Sequence, residues 1–319
     1  MNPAAAPLAA IAREQARDFA GARVAVFGGT GLIGANLLAA LAAAGAQATC
    51  VARRAPRRRA ENVRYVEASV LDGAAPPAFD YAVYVAGATS NYLDDPIGTV
   101  RLASEGLERV LDRARGARGV VYVSSGRVYG RRAEPKPLAE SDCMLLPSPS
   151  AGNVYDAAKL IGEALCRRAA AAGTRAVVVR PGNIYGPWGE RAPVTSLTQW
   201  IAQARAERRI VLTGPAQAVR NHVFVADVVD GLLRALAHGR AGEAYNLGSA
   251  DHLSNGDLAA RVAAALEPPV AVEHASSEPP DYMVLSSERA RAELGFSARC
   301  AAAEHLPATV RWILESENA

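Results

Sequence analysis

The sequence predicts an α/β protein built on a doubly wound parallel sheet, with a smaller, discontinuous C-terminal unit. Three observations carry this. Short apolar runs alternate with longer alanine- and leucine-rich segments, a glycine-rich turn joins the first run to the first long segment, and the rhythm breaks after Pro181.

Residues 1 to about 20 read as a helical extension ahead of the domain proper, with Arg13, Glu14, Arg17 and Asp18 interrupting its alanines. The strand candidates are residues 24–27, 48–52, 64–67, 81–86, 120–124 and 176–180. Their runs are almost wholly apolar, as expected for strands covered on both faces. Helical segments fall at 32–44, 97–115 and 155–172. After Pro181 the chain is turn-rich with one helix at about 194–207. A short strand at 223–225 and a helix at 227–238 are expected to return it to the nucleotide-binding unit. This divides the chain into a dinucleotide-binding unit, 21–181 plus about 216–240, and a substrate-binding unit, about 182–215 plus 241–319.

The bulk numbers describe an ordinary soluble protein. Half of the 319 residues are hydrophobic, 21% are charged and mean hydropathy is +0.03. A net charge of +3 gives no reason to expect nucleic acid or an anionic membrane as partner. No apolar run reaches the length of a membrane span and no signal peptide is visible, so a cytoplasmic protein is expected. Cys50, Cys143, Cys166 and Cys300 lack metal-ligand spacing and read as reduced thiols. His222, His238, His252, His274 and His305 share no ligand spacing either, so no metal site is expected. Arginine supplies nearly all the cationic charge. Lys136 and Lys159 are the only lysines, which makes Lys159 a position to explain.

The first strand runs into Gly28-Gly29-Thr30-Gly31-Leu32-Ile33-Gly34 and then into a helix. Glycines at positions 28, 31 and 34 allow a tight turn and let a pyrophosphate approach backbone N–H groups at the helix N-terminus. This is the Rossmann arrangement, and it makes Gly28, Thr30, Gly31, Leu32, Ile33 and Gly34 candidate dinucleotide contacts. The second strand ends in Cys50-Val51-Ala52-Arg53-Arg54 without a carboxylate. An acidic residue there would bond an adenosine ribose 2′-OH, whereas Arg53 or Arg54 would accommodate a 2′-phosphate, so NADP(H) is favoured over NAD(H).

Tyr155-Asp156-Ala157-Ala158-Lys159 opens a helix, and the i, i+4 spacing puts phenol and ammonium on one face. A tyrosine is a poor base at neutral pH. A nearby ammonium favours its phenolate and lets it exchange a proton with a substrate hydroxyl or carbonyl. Ser124 and Ser125, ending a strand, are natural groups to orient that oxygen.

In this order, the motifs resemble the extended short-chain dehydrogenases/reductases, in particular the NAD-dependent epimerase/dehydratase group acting on nucleotide sugars. Further matching stretches are residues 83–88, Ser124-Ser125-Gly126-Arg127-Val128-Tyr129-Gly130, Arg180-Pro181-Gly182-Asn183-Ile184-Tyr185-Gly186-Pro187, residues 220–227 and Tyr245-Asn246-Leu247-Gly248. The resemblance implies that Ser125 bonds the reacting oxygen, that Tyr155 is the acid/base, and that Lys159 holds the nicotinamide ribose. It places Asp72, Ala86, Gly87 and Ala88 against the cofactor, and Asn183 and Arg220 against the diphosphate of a sugar nucleotide. It also implies a homodimer through the helices at 97–115 and 155–172.

Several positions depart from the family pattern. Enzymes of the group that dehydrate sugars carry an Asp-Glu pair where this chain has Gly126 and Arg127, so dehydration is not expected. Ser69 stands where an aspartate is usual, Ala103 where an asparagine is, and Asn221 follows Arg220 in place of aspartate. Residues 279–287 lack an arginine that often grips the nucleotide. A nucleotide-sugar 4-epimerase or 4-ketoreductase is the leading expectation. The alternatives are an NADPH-dependent reductase of a non-nucleotide carbonyl compound and a non-catalytic dinucleotide sensor.

Overall fold

A computed structural model describes residues 2–56, 59–72, 78–87, 92–142, 144, 153–189 and 195–317. The doubly wound sheet expected from the alternating pattern is present. Seven parallel strands run in the order β10-β6-β5-β4-β1-β2-β3. They are β1 (Arg23–Phe27), β2 (Gln47–Ala52), β3 (Val63–Glu67), β4 (Tyr81–Tyr84), β5 (Gly119–Val123), β6 (Ala176–Pro181) and β10 (Ala244–Leu247).

Successive residues of β1 serve opposite faces, which is why its run is continuously apolar. Val24 and Val26 join the core under α1 (Ala5–Phe19), α2 (Leu32–Ala43) and α7 (Val225–His238), whereas Ala25 and Phe27 join the core under α4 (Leu107–Arg113) and α5 (Val154–Ala171). The N-terminal extension is helical as read. Leu8, Ile11 and Phe19 of α1 are buried, and Gln15 donates to the buried Asp230 of α7 at 3.2 Å.

The segment read as one helix over 97–115 is three pieces: α3 (Pro96–Arg101), a π-helical turn (Leu102–Gly106) and α4. Inside that turn the Tyr84 hydroxyl donates to the Leu102 carbonyl at 2.6 Å. A Cβ on Gly106 would lie 2.5 Å from the same hydroxyl. The phenol at the end of β4 thus occupies the helix flank, and the ladder widens around it.

A smaller assembly follows. Strands β7 (Asn183–Tyr185), β9 (Val219–Phe224), β11 (His252–Ser254) and β13 (Tyr282–Met283) form one sheet, and β8 (Arg209–Leu212) pairs with β12 (Ala271–His274). Helices α6 (Ser196–Glu207), α8 (Asn255–Ala264), α9 (Glu288–Leu294) and α10 (Ala302–Glu317) complete it. Two strands lie elsewhere than the sequence reading puts them. The strand containing residues 223–224 belongs to the small sheet, because β9 pairs with β7, β11 and β13. Conversely β10, read as part of the substrate-binding unit, is an edge strand of the main sheet, hydrogen-bonded to β6. The polar Asn246 disguises it. That side chain is fully buried and satisfied, donating to the Leu138 and Ser286 carbonyls and accepting from the Tyr129 hydroxyl. No helix among the described residues is long and apolar enough to cross a membrane.

Candidate active site

β1 leads into the glycine loop, whose backbone explains its composition. Gly28 has φ +88°, and a Cβ there would lie 2.6 Å from the Ala86 backbone. A Cβ on Gly34 would lie 2.6 Å from the Gly29 Cα, so the first turn of α2 can press against the loop only without one. Gly31, the N-cap of α2, differs: no protein atom lies within 4 Å of where its Cβ would be, and it lines a cavity. No side chain caps this helix end, which leaves its first amides and the positive end of its dipole to a ligand. Loop and helix therefore suit a pyrophosphate.

The cavity, of about 910 Å³, lies at the carboxyl ends of the strands, where β1 and β4 depart in opposite directions. Its lining joins three groups of residues. The glycine loop contributes Gly28, Thr30, Gly31, Leu32, Ile33 and Gly34, with Arg53, Ser69, Ala86 and Gly87 beside it. The strand ends and α5 contribute Ser125, Arg127, Tyr155 and Lys159, and the small sheet and its loops contribute Asn183, Thr195, His222 and Met283.

Three candidates from the sequence lie outside this lining. Arg54 is exposed past β2, whereas its neighbour Arg53 lines the cavity. Asp72 is exposed in a turn closed by its N–H on the Ser69 carbonyl, and Ser69 is the residue that reaches the cavity. Arg220 is engaged within the protein: its guanidinium donates to the Val219 and Asp281 carbonyls at 2.9 Å each and pairs with the Asp281 carboxylate. Asp281 also takes Arg131, at 3.2 Å. Ala88 lies outside the described residues. Trp188, in the turn after β7, packs edge-on against Trp312 with centroids 4.7 Å apart.

Ser125, Tyr155 and Lys159 converge. Ser125 follows β5, accepts the Arg127 N–H at 3.2 Å and is hydrogen-bonded to the Tyr155 phenol. Burial pushes the Tyr155 phenol above its ordinary pKa, while the Arg127 charge and the Ser125 bond pull it back. One turn along α5, the buried Lys159 donates to the Val123 carbonyl at 2.8 Å, and its ammonium lies 5.5 Å from the Tyr155 ring centre. Burial brings this ammonium down to about 8.

A buried polar chain holds these elements together. Arg180 of β6 is completely buried and forks onto Glu163 of α5 at 2.8 and 2.6 Å, and Glu163 accepts the Ser124 hydroxyl at 2.7 Å. Arg180 also donates to Tyr129 at 2.6 Å, and Tyr129 to Asn246 at 2.8 Å. One network thus ties α5 to β5, β6 and β10.

Sequence reading missed two residues of the lining. Arg127 stood out only as a missing acid. In the structure its guanidinium is 5.0 Å from the Tyr155 ring centre and 5.8 Å from that of Tyr92, and it pairs with Asp156 at 3.0 Å. His222 shares no metal-ligand spacing with the other histidines, yet it lines the cavity. Its register partner across β9 and β7 is Asn183, and alternation along β9 sets it on the same face as Arg220, which is the signal that would have found it.

Burial, then the nearby Arg220 charge, lowers His222 to about 4, and its Nε2 is buried without a hydrogen-bond partner. An unfolded histidine takes up a proton near pH 6.5, whereas the folded one resists until about pH 4. Stability present above pH 6.5 is therefore lost as pH falls toward 4, on the order of 3 kcal/mol from this group. Denaturant titrations across this window should show a shallower acid slope in His222→Phe; an unchanged slope would refute the assignment. Among the described residues, no group of His, Cys, Asp and Glu is arranged to hold a metal ion.

The pattern of the NAD dependent epimerase/dehydratase family matches residues 24–248. GDP-6-deoxy-D-mannose reductase of Pseudomonas aeruginosa is 32% identical over 70% of this chain and 74% of its own. An epimerase from Methanothermobacter thermautotrophicus superposes with a TM-score of 0.82 at 25% identity, covering 97% of this chain and 96% of its own. A dTDP-glucose 4,6-dehydratase from Streptomyces venezuelae, solved with NAD bound, gives 0.79 at 22% identity over 93% and 98%.

Proposed function

The chain belongs to the NAD dependent epimerase/dehydratase family, and from that premise we propose that it works at a carbinol or carbonyl carbon of a nucleotide sugar, as a 4-ketoreductase or 4-epimerase. The convergence of Ser125, Tyr155 and Lys159 on the cavity that the glycine loop enters carries this reading. The relatives named above include a reductase, an epimerase and a dehydratase.

The dinucleotide would be held by the glycine loop and the first amides of α2, with Ala86, Gly87 and Lys159 beyond them. When bound, it supplies or accepts the hydride. Ser125 orients the substrate oxygen. Tyr155 gives that oxygen a proton when a carbonyl is reduced and takes one when an alcohol is oxidised. Dehydration is disfavoured, because the side chain beside Tyr155 at the position of the missing acid is the Arg127 guanidinium.

Arg53 favours NADP(H), and with it net reduction. It is a cavity-lining cation just past β2, and the stretch from Cys50 to Arg54 holds no carboxylate to receive a ribose hydroxyl. NADP⁺ should bind more tightly than NAD⁺, and Arg53→Ala should weaken NADP⁺ by roughly tenfold while sparing NAD⁺. Tighter binding of NAD⁺ to the unaltered protein would overturn the preference.

A second reading has its own observation. Arg220, expected on a diphosphate, is committed to Asp281, which favours a carbonyl substrate without a nucleotide. Nicotinamide absorbance with keto-sugar nucleotides and simple ketones separates the cases. Net NADPH consumption marks a reductase, product without consumption marks an epimerase, and silence across both panels would refute catalysis of this kind. The proposal includes a cytoplasmic homodimer, for which the exposed Ile97 of α3 and Ile161 of α5 are suitable contacts.

A further inference from the structure

The cation nearest the Tyr155 ring is not the lysine of its own helix. The Arg127 guanidinium lies 5.0 Å from the ring centre and the Lys159 ammonium 5.5 Å. Lys159 spends a hydrogen bond on the Val123 carbonyl and also lies over the Tyr122 ring, at 5.2 Å. Arg127 is fixed instead by side chains around Tyr155. Asp156, the next residue along, takes it at 3.0 and 3.1 Å, and Tyr92 lies beside Tyr155, its ring centre 5.8 Å from the guanidinium and 5.6 Å from the Tyr155 ring centre. Asp156 is almost wholly buried, whereas Arg127 is 41% exposed and lines the cavity.

We infer that Arg127, clamped by Asp156 and lying over the Tyr155 ring, is a positioning residue that stabilises the Tyr155 phenolate during proton transfer. This rests on the proposed role of Tyr155. In reduction the phenol O–H bond breaks, its proton passes to the substrate carbonyl oxygen while that carbon gains hydride from reduced nicotinamide, and a phenolate remains. In oxidation the phenolate takes the proton back. A guanidinium in a half-dry site lowers the cost of that anion in both directions.

The charge arrangement around the phenol supports the assignment. Ser125 and Arg127 face it from the turn after β5, Tyr122 from β5, Tyr92 from the segment before α3, and Asp156 and Lys159 from α5. Of these, Arg127 is the leading influence favouring the ionised phenol, while Asp156 and Tyr92 oppose it. Asp156 thus has two effects, since it holds Arg127 in place and partly cancels its charge.

The test is an ultraviolet difference titration. Subtracting the Tyr155→Phe spectrum isolates one phenol among ten tyrosines. Arg127→Gln should move the midpoint to higher pH, Arg127→Lys should restore part of the shift, and Asp156→Asn should move it lower. Turnover of Arg127→Gln in the oxidative direction at neutral pH should fall about tenfold, recovering as pH rises and the phenolate forms. A purely structural role would lower turnover without moving either midpoint. The inference fails if Arg127→Gln titrates as the unaltered protein does, or if Asp156→Asn moves the midpoint upward. Should Arg127→Gln not fold, Arg127→Lys and Asp156→Asn decide the matter. Retained turnover in Tyr155→Phe would sink the role of Tyr155 itself, and the titration would still report separately on Arg127.

Discussion

Tyr155→Phe is expected to lower turnover by about 10³-fold, with dinucleotide affinity close to that of the unaltered protein. The substitution removes one oxygen and leaves a ring of nearly the same shape, so its packing against Tyr92 and under Arg127 persists. What disappears is the proton donor and the group bonded to Ser125. Lys159→Ala should damage both readouts, because that ammonium lies beside Gly87 on the cofactor side and its charge is near the phenol. Paired measurements of kcat and dinucleotide Kd separate the two variants. Near-normal kcat in Tyr155→Phe would refute the mechanism.

The second large effect is on stability. Glu163→Ala should cost about 3–5 kcal/mol, read as a lowered urea midpoint, because it strands the Arg180 guanidinium at zero exposure. The loss also frees the Ser124 hydroxyl and removes a link between α5 and β6. Replacing both partners, Glu163→Leu with Arg180→Met, should recover much of the difference, since the expense lies in an unpaired buried charge. If the double variant were as unstable as the single one, the ion pair would be a net source of stability, contrary to this account.

What the sequence made legible was local. The glycine loop, the apolar strands and the Tyr155–Lys159 spacing are each contained within one short segment, and each appears where it was read. The obscure parts depend on pairings between distant segments. Asp281 meets Arg220 across 61 residues and turns it from its expected partner, and Arg127 is claimed by Asp156, 29 residues on. Asn246 is a polar residue within an otherwise apolar strand, and its place becomes evident only once Leu138, Ser286 and Tyr129 are brought around it. Such polar residues carry no periodic signal, since their burial depends on partners only the complete fold supplies.

The placement of β10 has a consequence for the order in which the chain can fold. Between β6 and β10 the backbone leaves the main sheet, lays down β7, β8 and β9, and returns through α7. A nascent chain therefore carries β6 with one flank unpaired until residue 247 has emerged from the ribosome. An open edge of Val177, Val178 and Val179 invites pairing with other chains. Completion of the sheet and assembly of the substrate-side strands are thus linked in time, so a fragment ending near Pro181 would be sticky rather than a free-standing nucleotide-binding domain.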